Sequence, residues 1–196
     1  TGIETAILAM TPVAKVATNR IDEEKLAEIE TKFYEKNETE GYYYFNTIDA
    51  CIEAVSSDDE VTNIEIVRDV FMKDTAPVIE IVEGQNIVLD LCGFTIQKNG
   101  DTIIANQGTL EIIDTSEEAI GTIKQLGVGT SEERKKAILN EGELTVTSGT
   151  VTATGEYGCA IYNVETETGT GIVIVEGGTV SATAQNSYGI YNNSSG

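Results

Sequence analysis

From residue 61 onward, apolar and polar side chains alternate in short bursts. In one burst Leu144 and Val146 face one way while Thr145 and Thr147 face the other. Ile64-Glu65-Ile66-Val67, Val78-Ile79-Glu80-Ile81-Val82 and Ile87-Val88-Leu89-Asp90-Leu91 have the same form. A period of two is the mark of a half-buried strand. Each burst is only three to five residues long and ends at Gly, Asn or Ser-Gly, residues that favour turns. No strand that short can bury a face alone.

The bursts repeat. Residues 142–163 (GELTVTSGTVTATGEYGCAIYN) align without a gap on residues 171–192 (GIVIVEGGTVSATAQNSYGIYN). Leu144 and Val146 match Val173 and Val175, Gly149-Thr150-Val151 matches Gly178-Thr179-Val180, and Ile161-Tyr162-Asn163 matches Ile190-Tyr191-Asn192. Weaker copies begin at Ile104-Ala105-Asn106 and Ala137-Ile138-Leu139-Asn140. Copies that cannot fold singly bury a continuous core by stacking. Three short strands per copy predict a β-helix, one copy per turn, with stacked strands about 4.8 Å apart. Val146 is expected over Val175, Tyr162 over Tyr191, and Asn163 over Asn192, the asparagines bonding amide to amide.

Residues 1–60 read as an N-terminal cap, and 61–196 as some five rungs that continue past the end of the sequence. In the cap, 13–16 and 42–45 are predicted strands. Ile48, Cys51, Ile52 and Val55 have helical spacing, so 47–56 is a capping helix with Thr47 or Asn46 at its N-cap. Leu26, Ile29 and Phe33 predict an inserted helix over 22–36, and 130–136 a second small insertion capped by Thr130 or Ser131. The fold class expected is all-β: a β-solenoid with a helical cap and small helical insertions.

Composition narrows the chemistry. Asp and Glu number 33 against 12 Lys and Arg, for a net charge of −21. Such a chain repels phosphate backbones and anionic lipid, so neither nucleic acid nor a membrane surface is an expected partner. It contains no His, which removes Ser-His-Asp triads, Cys-His dyads and HExxH zinc sites. No apolar run is long enough to span a bilayer. The apolar patch at 6–10 lacks the basic flank of a signal peptide. Cys51, Cys92 and Cys159 fit no metal or redox spacing and read as buried thiols.

The run EGQNIVLDLCGFTI at 83–96, then Gly108-Thr109-Leu110-Glu111-Ile112-Ile113-Asp114, then the Gly-Thr-Val and Ile-Tyr-Asn copies resemble the right-handed parallel β-helix, pectin-lyase-like domains. Such domains are frequent in large cell-surface proteins of Gram-positive gut bacteria. The front segment is similar too, from Val13 to Val16 and from Tyr42 to Val55. The resemblance covers about 12–193 and implies a right-handed coil, an extracellular setting and further domains in a longer chain.

It carries over no catalytic residue. Lyases of this group use an Arg or Lys base beside an acidic Ca²⁺ cluster, and hydrolases use several packed Asp. Here Arg20, Arg68 and Arg134 are the only arginines, Arg68-Asp69 reads as a surface ion pair, and Asp90 and Asp114 read as solvent-facing or turn positions. No cofactor is expected. Ca²⁺ is the one ion the acids suit, without a DxDxDG loop to hold it. Tyr162 and Tyr191, with Tyr157 and Tyr188 close by, are the candidate ligand-binding residues, because aromatic faces suit sugar rings. The function expected is a non-enzymatic module for surface display, adhesion or glycan contact. The alternative is a polysaccharide lyase or glycoside hydrolase.

Overall fold

A strand of three to six residues leaves donors and acceptors on both edges, and they are satisfied only if strands stack on both sides. The computed structural model, which describes residues 11–166 and 169–193, shows that solution. The predicted patch at 6–10 and the end of the predicted rungs at 194–196 lie outside the described residues.

The chain opens with β1 (Ala14–Ala17), α1 (Glu23–Glu28), β2 (Tyr34–Asn37), β3 (Tyr42–Phe45) and α2 (Ile48–Glu53). Five turns of parallel β-solenoid follow. The first is β4 (Val61–Ile66), β5 (Val70–Met72) and β6 (Ile79–Ile81), and the second is β7 (Asn86–Asp90), β8 (Thr95–Lys98) and β9 (Ile104–Asn106). The third is β10 (Thr109–Ile113), β11 (Thr122–Gln125) and β12 (Lys135–Asn140). The fourth is β13 (Glu143–Val146), β14 (Thr150–Ala153) and β15 (Gly158–Thr166), whose end pairs with the short antiparallel β16 (Gly169–Thr170). The fifth is β17 (Ile172–Val175), β18 (Thr179–Ala182) and β19 (Tyr188–Asn193). The corresponding strands of successive turns stack in parallel, so the solenoid has three walls, and β1, β3 and β2 extend the first wall antiparallel at the capped end.

Register puts like on like. In the first wall Ile87, Leu110, Leu144 and Val173 form one inward row, and Ile64, Leu89, Ile112, Val146 and Val175 another. The second wall stacks Val70, Ile96, Ile123, Val151 and Val180, and the third stacks Ile79, Ile104, Ile138, Ile161 and Ile190. Nearly all those in the middle rungs are wholly buried. Each buried aliphatic side chain removes roughly 1.5–3 kcal/mol worth of apolar surface from water.

One inward row is polar. Asn106 donates through Nδ2 to Asn140 Oδ1 (2.8 Å), Asn140 to Asn163 Oδ1 (2.8 Å), and Asn163 to Asn192 Oδ1 (2.9 Å). The same amides reach the carbonyls of the following corner, Asn106 at Glu143 and Asn140 at Gly142 and Ile172. The corner is tight: a Cβ on Gly142 would strike the carbonyl of Gly108, and one on Gly171 would lie 2.5 Å from Asn163 Oδ1. A glycine is therefore the corner's requirement, and Gly108, Gly142 and Gly171 fill it in successive turns.

The cap follows from its sequence in part. Thr47 Oγ1 accepts from Ala50 N–H and so caps α2, and Gln85 Nε2 donates to the carbonyls of Ile52 and Val55 at its other end. Ile48, Cys51 and Ile52 press onto the first rung. Arg20 joins cap to solenoid, donating to Thr62 Oγ1 (2.8 Å) and to both oxygens of Asp58. The guanidinium holds the Asp58 carboxyl below its usual range.

Two predicted helices differ. The one over 22–36 runs only from Glu23 to Glu28, and 34–37 is strand β2, paired with β3 around Gly41 at φ +75°. Pairing along Tyr42–Phe45, with Tyr34 against Tyr43 and Phe45 at 5.9 Å, outweighs helical periodicity. The one over 130–136 is absent. Thr130 Oγ1 does accept from Glu133 N–H (3.0 Å), as the cap required, but Lys135–Asn140 is β12, held between β9 and β15.

Asn140→Ala should cost roughly 2–4 kcal/mol, because it orphans a buried donor on Asn106 and a buried acceptor on Asn163. Asn192→Ala should cost less than about 1 kcal/mol. Urea unfolding midpoints of the two variants check the order, and equal losses would contradict a continuous amide row.

Candidate functional site

The outward face of the third wall carries the candidate tyrosines. One outward row runs Glu80, Ala105, Leu139, Tyr162, Tyr191 and becomes aromatic in its two upper rungs. Tyr162 and Tyr191 stack with centroids 5.0 Å apart and planes 25° from parallel. Tyr188, the first residue of β19, lies 5.2 Å from Tyr191 and is 43% exposed. Burial, then the neighbouring Tyr191, raises the Tyr162 hydroxyl above its ordinary range. Tyr157 stands in the turn before β15.

What joins Tyr157 to the others is Arg134. Its guanidinium lies 4.5 Å from the Tyr188 ring centre, 5.4 Å from Tyr191 and 5.7 Å from Tyr157. Nη1 donates to the Asn186 carbonyl at 2.7 Å, which fixes its position. Lys136 Nζ lies 5.4 Å from the Tyr162 ring. Contacts of this kind contribute about 0.5–1 kcal/mol each at exposed sites. Beneath them Cys159 is wholly buried, and burial raises its thiol against the opposing pull of Arg134.

The helix predicted over 130–136 would not have set Arg134 and Lys136 beside the tyrosines. The signal was there: counting back six positions from the matched Asn140 and Asn163 sets Arg134 beside Tyr157.

Of the two readings for Asp90 and Asp114, solvent-facing or turn, the turn is the one found, with the side chains only 8% and 7% exposed. Asp90 accepts from Cys92 N–H, Thr115 N–H and Thr115 Oγ1. Asp114 accepts from the N–H groups of Gly93, Ser116 and Gly121. Both pin the corner between the first and second walls, where Cys92 sits at φ +47°. Burial, then Asp90, pushes the Cys92 thiol up to about 11. Burial alone would raise the Asp114 carboxyl, but the hydrogen bonds outweigh it and the net shift is downward.

Asp69 accepts from Thr95 N–H, and no Arg68–Asp69 ion pair occurs among the described residues. Nor, among them, do three His, Cys, Asp or Glu side chains group closely enough to hold a metal ion. No described helix is long and apolar enough to cross a membrane.

Two hollows lie at the cap, away from the tyrosines. One, of about 810 Å³, is lined by Glu24, Glu28, Glu53 and Glu80 among others. The other, of about 860 Å³, includes Phe33, Val70, Phe71 and Phe94. The tyrosine patch brings together four aromatic rings and two cations on a rigid wall, which suits holding a flat, hydroxylated ring.

Compared with known proteins, the chain matches no family model, no curated protein and no solved structure.

Asp114→Asn should cost about 1–3 kcal/mol near pH 7, since an amide nitrogen would face an N–H donor. The carboxylate's pKa is lowered in the fold, so its contribution is complete above the ordinary carboxylate range and lost as pH falls through and below it. Melting curves of wild type and variant should therefore converge below about pH 4. A gap that stays constant to pH 2 would contradict the assignment.

Proposed function

We propose that this chain is a non-enzymatic extracellular module that contacts glycans through the side of its solenoid. In this reading it belongs with the right-handed, pectin-lyase-like β-helix domains of Gram-positive cell-surface proteins, as the Gly-Thr-Val and Ile-Tyr-Asn copies suggest. The observation that carries the proposal is the stack of Tyr162 on Tyr191, flanked by Tyr188.

Stacked rings on consecutive strands form a flat apolar strip with hydroxyls at its edge. Sugars present flat C–H faces with hydroxyls at their rims, so the two surfaces match in shape and polarity. The strand beneath Tyr162, β15, is bonded on both sides, so that ring is set before the ligand arrives and less binding energy goes into ordering it. The charge of −21 keeps like molecules apart at high local density, which suits surface display.

A glycan-array screen followed by titration of the best oligosaccharide tests the reading. Tyr191→Ala should weaken binding about tenfold, or about 1.4 kcal/mol, with an unchanged melting temperature. Binding that is insensitive to Tyr191 and Tyr162 would remove this surface as the site. Release of unsaturated or reducing ends from acidic polysaccharide would favour the lyase or hydrolase alternative.

A further inference from the structure

We propose that the open edge of β5 is a strand-addition site, and that its occupant is the apolar run at 6–10 of this same chain, joining antiparallel. The inference is independent of the tyrosine wall. Residues 6–10 lie outside the described residues, and three features of the described edge lead to them.

The first is uneven cover at the capped end. β1, β3 and β2 close the first wall, and α2 packs against β6 of the third. Among the described residues β5 pairs with β8 alone. A bare strand edge offers a row of backbone donors and acceptors to an extended chain. Beside this one lies the hollow of about 860 Å³, whose lining includes Phe33, Val70, Phe71, Met72 and Phe94. Phe71 is 68% exposed, although Val70 and Met72 on either side of it pack against the core.

The second is register. β1 runs antiparallel to β4, with Val16 opposite Ile64 and Ala14 opposite Ile66. The pairing holds one step further, where Val67 N–H donates to the Val13 carbonyl at 2.9 Å. Thr11 then lines the hollow together with Asp69 and Val70. Traced back along the chain, the same register sets Met10 opposite Val70, Ala9 opposite Phe71 and Leu8 opposite Met72. The segment that covers β4 is thus aimed along the edge of β5.

The third is the fit of side chains. Residues directly opposite in an antiparallel pair share a face. Phe71 faces outward and is exposed, whereas Val70 and Met72 are half-buried. This register would set Met10 and Leu8 beside the two half-buried residues and the small Ala9 beside the large Phe71. No charged residue occurs from Thr5 to Thr11, so no charge would lose its water. The run is covalently joined to the hollow at Thr11, so docking spares the translational freedom that a separate peptide would lose.

Amide exchange of the full chain, read by mass spectrometry, tests the proposal. Residues 70–72 should exchange slowly, and Leu8→Asp or Met10→Asp should speed them at least about tenfold while 150–153 stays unchanged. Ala9→Ser, on the outward side, should leave 70–72 slow. Equal exchange of 70–72 in wild type and both aspartate variants would overturn the proposal. So would an Ala9→Ser effect as large as theirs, since an apolar run without register would respond alike at every position. Protection of 70–72 that appears only as protein concentration rises would assign the edge to a second copy and overturn it too.

Discussion

Parallel register is the constraint on which everything else depends. Once each strand lies directly over its counterpart one turn below, a side chain's main neighbours are the residues at its own position in adjacent rungs. Packing then becomes a matter of rows. A row of Ile, Leu and Val fills itself, whereas a polar row must find bonds within itself, since both sides are closed to water. The asparagine row meets that demand with an amide that donates upward and accepts from below. It ends where the demand changes: the position beneath Asn106 is Ile81, and Asn106 Oδ1 is buried without a partner.

Where rows repeat, the sequence could be read directly. The Gly-Thr-Val and Ile-Tyr-Asn copies predicted the stacking of Val146 on Val175, Tyr162 on Tyr191 and Asn163 on Asn192, and all three occur. Where a position belongs to no repeat, local periodicity misled. Residues 34–36 and 135–136 had helical spacing and charge order, but their backbones pair with other strands. Single-window patterns hold no information about such partners.

Interior polar residues were hidden for a related reason. Lys98 and Gln125 lie in the inward row between Met72 and Ala153, where alternation predicts apolar side chains. Lys98 is only 2% exposed and donates to the carbonyls of Ala76 and Thr102, and burial lowers its pKa against the pull of Asp101 and Asp74. Gln125 reaches the carbonyls of Asp101 and Lys136. Both serve loop backbone that crosses the corner between the second and third walls. That need arises from loop geometry, which composition does not record. The same reasoning separates Asp90 and Asp114 from the tyrosines: these carboxylates hold turns, and the rings face outward.

The uppermost rung has a neighbour on one side only among the described residues, and Val175 and Ile190, which face inward, are 43% and 46% exposed. Each rung of a one-dimensional stack is held by its interfaces with its neighbours. Tyr188 and Tyr191 ride on the uppermost rung while Tyr162, Tyr157 and Arg134 belong to those below. A molecule bridging them would act as a clasp, tying one turn to the next and linking occupancy on the wall to cohesion along the axis.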